Sequence, residues 1–397
     1  MSETNDYVPF WRLFQRVSRT GHSTEQLLSV YRDYGVVPRE GREDNNNRPG
    51  TDISKYQLVE PGDLAVNKMK AWQGSLGVSD FRGIVSPAYF VYKPLHSSDP
   101  RYLNYVLRSR PFINLYAANS KGIRPAQWDL QPERLDQIRI PAPPLPTQRA
   151  IADYLDRETA EIDGMRADLD EMERLLEERR AAVIDTTITA TETTHTVRVG
   201  YIAELITGLT YSPQDIVEDG GTVVLRSGNI QSSKINLEDE VQVRLSIPDK
   251  LRVRSGDILV CARNGSAKLV GKSAKLTSEE QGFTWGAFMT VVRSDINEWL
   301  FWYLHSNEFE HMRGDFSSST INQLTNGTFS RIPIPVEKDP CRRNELTEEL
   351  ARETAEIDSM LEDITKLRDL LAERRAAVIS AAVTGQIDIP VSSTHKD

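Results

Sequence analysis

Two long stretches of this chain carry apolar residues at a seven-residue period. In the first, Leu155, Ile162, Met165, Leu169, Met172, Leu176 and Val183 share one stripe. In the second, Leu350, Ile357, Met360, Ile364, Leu367, Leu371 and Val378 keep the same register. Glu, Asp, Arg and Lys fill the outward positions. A stripe of this kind over four heptads predicts a coiled-coil seam on a solvated helix. Prolines 141, 143, 144 and 146 precede the first helix, with Thr147 as its candidate cap. Gly385 stands where the second helix should stop.

The two helices are copies of one another. Residues 157–184 and 352–379 align without a gap at an offset of 195, with 18 of 28 positions identical. Arg139-Ile140-Pro141 matches Arg331-Ile332-Pro333, and Pro61-Gly62-Asp63-Leu64 parallels Ser255-Gly256-Asp257-Ile258. The chain therefore reads as a tandem duplication, each unit a globular region followed by a long helix. Two equivalent helices in one chain can pair with each other. Packing of each on its own domain, or dimerisation, stays open as an alternative.

Between the helices the pattern shortens. Apolar runs at residues 83–92 (GIVSPAYFVY), 256–261 (GDILVC) and 288–292 (FMTVV) predict strands, and residues 101–115 and 297–312 predict helices. The expected fold is mixed α/β, of the α+β kind. Its globular domains span residues 1–146 and 191–337, its long helices 147–190 and 338–385, and its tail 386–397.

Composition modifies this picture in few places. A length of 397 residues suits two or three domains. No apolar run is long enough to span a membrane, and the first residues lack the pattern of a signal peptide. Two isolated cysteines, Cys261 and Cys341, fit neither a zinc site nor a disulfide framework and suggest a cytoplasmic protein. The net charge of −10 argues at first against a nucleic-acid partner. By region the balance is +4 over residues 1–148, −6 over 149–190, −3 over 191–335 and −5 over 336–397. The acidity is thus concentrated in the helical segments.

Basic and amide side chains gather in corresponding loops of the two globular regions. The first loop, residues 67–80, brings Lys68 and Lys70 next to Trp72 and Gln73. Its counterpart, residues 261–275, carries Arg263, Asn264, Lys268, Lys272 and Lys275. Later clusters hold Lys121, Arg124 and Gln127 in the first region, and residues 317–320 with Asn322 and Gln323 in the second. Arg226 and Asn229 add a third group to the second region. Cations beside amides suit phosphate contact combined with base-edge reading. Each group also has a plain explanation: surface lysines beside a packed indole, an Asn-Gly turn, a polar loop. Their recurrence at matching places in duplicated domains favours the DNA-contacting reading.

The common signatures of chemistry on DNA are missing from the sequence. There is no Asn/Asp-Pro-Pro-aromatic loop for adenine methylation, no G-x-S-x-G elbow and no H-E-x-x-H pair. Gly265 to Gly271-Lys272-Ser273 approaches a phosphate-binding loop, but five residues rather than four separate the glycines.

The stretch IPAPPLPTQRAI (140–151), the two repeat helices and the ending ERRAAVISAAVTGQIDI (373–389) resemble specificity subunits of type I restriction–modification systems. GDLAVNKMKAWQGSLGVSDFRGIVSPAYFVY (62–92) is similar to their target-recognition domains. The second unit departs from the pattern, with PIPVEKDPCRRNEL (333–346) in place of the P-P-L-P-T-Q-R-A-I form. The resemblance implies two domains reading an asymmetric, two-part site on double-stranded DNA. It also implies that the long helices lie antiparallel, as an intramolecular coiled coil that spaces the domains. From Leu155 to Val183 a helix extends about 42 Å, slightly more than one DNA turn. The partners implied are two methyltransferase (modification) subunits and the restriction/translocase subunits. S-adenosylmethionine, ATP and Mg would sit on those partners, with no cofactor in this chain and no catalytic site. A coiled-coil scaffold with protein-binding domains is the alternative of another class. A specificity chain of a methyltransferase-only or type II system is the alternative within the same class.

Overall fold

The computed structural model describes residues 7–32, 34–39, 53–122, 128–189, 191–313 and 322–390. It divides into two compact units, Met1–Leu169 with Thr365–Asp397, and Asp170–Ile364. Each long helix begins in one unit and ends in the other.

In the first unit a four-stranded antiparallel sheet runs in the order Phe14–Val17, Tyr89–Pro94, Leu64–Asn67, Leu76–Val78. Leu64, Val66 and Tyr92 pack from one face against Tyr102, Leu103, Val106 and Leu107 of the helix Pro100–Arg108. Ala65 and Val91 face the other way, onto Leu28, Val30, Val36, Val59 and Val85. A strand covered on both faces has no solvated side to mark with polar residues, which is why these strands read as continuous apolar runs.

The second unit repeats this plan. Its sheet runs Glu204–Thr207, Met289–Arg293, Ile258–Cys261, Ser273–Lys275. Ile258, Val260 and Val292 face Trp299, Leu300 and Tyr303, whereas Leu259, Cys261 and Val291 face Trp285 and Leu225. The repeated Gly-Asp is a buried turn device. The Asp63 carboxylate accepts the Glu60 N–H at 2.8 Å and pairs with Arg19. The Asp257 carboxylate accepts the Arg254 N–H at 2.9 Å and pairs with Arg293 at 2.6 Å.

The finer expectations need correction at several boundaries. Residues 83–92 are two strands in different sheets: Gly83–Val85 pairs with Gln57–Val59, and Tyr89–Pro94 joins the main sheet. Pro87, which cannot donate to a ladder, lies in the gap between them. Residues 101–115 are two helices, Pro100–Arg108 and Arg110–Asn119, because Pro111 restarts the chain after Ser109. Residues 297–312 divide likewise into Asn297–Tyr303 and Asn307–Arg313. The first long helix runs Leu145–Ile188, and the Gln148 N–H reaches the Pro144 carbonyl. Thr147 is therefore inside the first turn and is not the cap.

The second long helix, Pro340–Val383, ends where a left-handed residue is required. Gly385 adopts φ 72°, the Gln386 N–H bonds the Ala381 carbonyl at 2.8 Å, and the Gly385 N–H bonds that of Ala382 at 3.3 Å. This crossed pair of bonds is a Schellman stop.

Within each unit the two helical segments run antiparallel. In the first, Ala382 and Val383 join Ile151, Ala152 and Leu155 in one core, and Arg375 pairs with Asp163 at 2.9 Å. In the second, Leu350 packs with Ile184 and Ile188, and Arg180 pairs with Asp358 at 3.1 Å. Of the apolar stripe, Leu155, Ile162, Leu350, Ile357 and Ile364 are buried. Met165, Leu169, Leu176, Val183, Leu371 and Val378 are half-buried. Met172, Met360 and Leu367 are about half exposed, at 51%, 49% and 47%. The buried companions of the stripe stand four residues on, as Thr159 does from Leu155 and Thr354 from Leu350. A step of three residues falls about 60° short of a full turn and a step of four about 40° past it. The seam has turned toward the threonines and carried those three side chains outward. Thr354 tolerates burial because its hydroxyl donates to the Leu350 carbonyl at 2.6 Å.

Candidate nucleic-acid interface

In the first unit the loop after the central strand Leu64–Asn67 places Lys68, Lys70, Trp72 and Gln73 together. Lys70 is exposed; the other three are half-buried. The Lys68 ammonium donates to the Pro87 carbonyl at 2.6 Å and lies 4.7 Å from the centre of the Phe90 ring. The same ring carries the Arg16 guanidinium 4.2 Å from its centre. Two cations thus share one ring; neither makes a close ion pair among the described residues, and Asp136 interacts with Arg16 only at longer range. Trp72 is fixed by its indole N–H, which donates to the Met69 carbonyl at 3.0 Å. Its ring meets Trp128 with centroids 4.9 Å apart. Lys121 is exposed, and its backbone bridges Asp129, beside Trp128. The early loop and the late segment therefore meet through the two indoles. Arg124 and Gln127 lie outside the described residues.

In the second unit three candidate segments converge. The Asn264 amide donates to the Ser227 hydroxyl at 3.1 Å, the Asn322 amide donates to the Gly265 carbonyl at 3.0 Å, and the Leu324 N–H bonds Ala262 at 2.8 Å. Arg263 is exposed and lies over Phe288, its guanidinium carbon 5.2 Å from the ring centre. Lys268 is exposed and Lys272 half-buried on the same loop. The loop passes through a short 3-10 turn, Ala267–Leu269, into the strand Ser273–Lys275, where a phosphate-binding loop would enter a helix.

Two of the predicted contact residues also have partners within the fold. Asn229 is 2% exposed; its amide donates to the Asn236 and Asp239 carbonyls, and its side-chain oxygen accepts the Arg226 N–H. The Arg226 guanidinium is held by Asp239 at 2.9 Å. Both residues close a turn; the Asn229 amide is fully engaged there, whereas the Arg226 guanidinium is bonded through one nitrogen, Nη2. Lys275 is likewise paired, with Glu298.

Sequence reading passed over Arg16, Phe90, Trp128 and Phe288. Arg16 and Phe90 are far apart in the chain and meet only because Arg16 faces Tyr92 across a strand pair. Phe288 looked like the start of a buried strand, yet it precedes that strand and is 60% exposed.

The Cys261 thiol is buried in the sheet, and burial pushes its pKa up, away from nucleophilic character. A cleft of about 710 Å³ in the second unit is lined by Tyr201, Arg254, Asp257, Arg293 and Asn297, with its buried acid already paired to Arg293. Among the described residues no cluster of His, Cys, Asp or Glu is placed to hold a metal ion, and no helix is long and apolar enough to cross a membrane.

No protein-family model matches the chain. Over 348 residues it is 24% identical to the specificity subunit of the type I restriction enzyme StySPI of Salmonella potsdam, covering 77% of this chain and 73% of that one. It is 28% identical over 245 residues to the EcoKI specificity subunit of Escherichia coli (strain K12), covering 55% and 51%. A chain solved in work on complex assembly and conformational transition of the type I R-M system superposes with a TM-score of 0.75 at 15% identity, covering 96% and 98%. The crystal structure of the HsdS subunit from Thermoanaerobacter tengcongensis gives 0.52 at 15% identity, covering 96% and 97%. The duplicated sheets, the paired helices and these relatives agree: in sequence and in fold the chain is similar to the specificity subunits of type I restriction–modification enzymes.

Proposed function

We propose that each globular domain reads one half of an asymmetric, two-part DNA target. The observation that carries this reading is the repeated convergence of loops. In both units the loop after the central strand meets a late segment, and exposed cations and aromatics collect where they meet. The two collections differ in chemistry, so the two half-sites should differ in sequence. The long helices hold the domains and set the number of unread base pairs. Their charged outer faces dock two modification subunits, which supply S-adenosylmethionine and the methyl transfer. Restriction subunits join that core with ATP and Mg, and this chain carries no catalytic step. The complex works in the cytoplasm, in keeping with two cysteines that are both free thiols.

Expression of the chain with the modification subunit of its own genome tests this. Long-read mapping of methylated adenine should reveal a new two-part motif only when the chain is present. A stable complex without any motif would reject the reading in favour of a protein-binding scaffold.

A further inference from the structure

The three segments that converge in the second unit are rich in polar side chains, but most of these are already occupied. Arg226 is held by Asp239, and Asn229 is buried with its amide bonded. The Asn264 amide donates to Ser227 while its oxygen accepts the Ser266 N–H at 3.0 Å. The Asn322 amide is bonded to Gly265. Arg263 is different: its guanidinium makes no hydrogen bond or ion pair among the described residues, and it lies over an exposed phenylalanine.

Phe288 is itself held firmly. Its carbonyl accepts the N–H groups of both Ala262 and Arg263, at 2.9 and 3.0 Å. A guanidinium laid over a ring spends its face on the stack and keeps its N–H edge free, with less rotamer freedom to lose on binding. A planar fork of N–H donors matches the O6 and N7 acceptors of guanine in the major groove, which a lysine cannot span in the same way. The first unit has an arginine over a ring elsewhere, Arg16 on Phe90 at the outer strand pair, but none at the place that corresponds to Arg263. The bond from Lys68 N–H to the Ala88 carbonyl, at 3.0 Å, corresponds to that from Ala262 to Phe288. Met69 and Ala88 therefore stand where Arg263 and Phe288 stand.

We propose that Arg263 reads one guanine in the half-site of the second domain, and that Phe288 is its positioning residue. This rests on the DNA-reading function above. The test is methylome mapping of the assembled complex carrying R263A, R263K, F288A or F288L. R263A should relax a single position, from guanine to any base, in one half of the motif, and leave the other half unchanged. Methylation of guanine-containing sites should fall about tenfold or more. R263K should relax the same position, since it keeps the charge and loses the fork. F288A and F288L should relax that position too, and adding R263A to either should change little more. A uniform loss over all sites with the motif intact, restored by R263K, would mean a phosphate contact and overturn the proposal. An unaltered motif in R263A, or relaxation at a different position in F288A, would also overturn it. Absence of any motif for the unmodified chain would instead fail the DNA-reading function itself. F288L keeps apolar mass at the site, so a folding defect in F288A does not remove the test.

Discussion

Arg16 and Lys68 bracket Phe90 without a close ion pair among the described residues, and a phosphate is the group such a pair fits best. K68A in the assembled complex should weaken binding to every DNA sequence alike and lower the salt-dependence slope by about one. Loss of a single base preference would assign Lys68 to reading instead. N229A should act on stability alone, costing on the order of 1–3 kcal/mol through unbonded turn groups, with the methylated motif unchanged. His305 makes stability pH-dependent. Its Nδ1–H donates to the Phe301 carbonyl at 2.7 Å, and the neutral ring's Nε2 accepts from the Ser233 hydroxyl at 2.8 Å. Burial first, then the nearby charges of Arg180 and Arg313, push its pKa down to about 4, against the opposing pull of the Phe301 carbonyl and Asp358. Above pH ~6.5 the residue is neutral in both states and its site costs nothing. As pH falls from there toward 4 the unfolded chain gains a proton that the folded chain refuses, so stability is lost over that window. Urea midpoints at pH 7.5 and 5.5 should differ, and H305Q should narrow the gap; an undiminished gap would exclude His305 as its source. These residue-level roles were only partly legible in sequence. Lys68, Lys70 and Arg263 advertise themselves by composition, whereas the Arg16–Phe90 contact depends on strand pairing and the occupation of Asn229 on a turn that no spacing rule reveals.

The long helices were legible from periodicity, and the duplication placed them in matching positions. The exact seam was less so. Methionine and leucine at three-residue steps look better suited to burial than threonine at four, but the packed face includes Thr159 and Thr354. I162A should therefore cost about 2–5 kcal/mol of stability, and M172A less than about 1 kcal/mol. Equal losses in thermal unfolding would contradict the observed seam. The ion pairs carry the duplication into the fold. Asp163 and Asp358 are separated by the repeat offset, as are Arg180 and Arg375. Each Asp pairs with an Arg from the other helix, which is what an antiparallel arrangement of two copies requires. Both pairs are partly exposed, so their contribution should be modest and their main effect should be on register. The helix ends show the same mixture: Gly385 announces the stop, but Pro144 rather than Thr147 marks the start.

For the whole molecule, the repeat was the most informative sequence feature, because it predicted two like units before any strand was assigned. Its limits are physical. Sheets buried on both faces erase the alternation that would locate their strands, and prolines at 87 and 111 divide runs that look continuous. On the proposed function, the gap between the half-sites follows from helix length. Seven residues correspond to about 10.5 Å of helix, close to the rise of three base pairs. The most direct measurement is to map the methylated motif for the complete chain and for a variant lacking one heptad from each long helix. The account predicts a two-part motif with the same half-sites in both, and a gap about three base pairs shorter in the variant. An unchanged gap, or a single continuous motif, would contradict it.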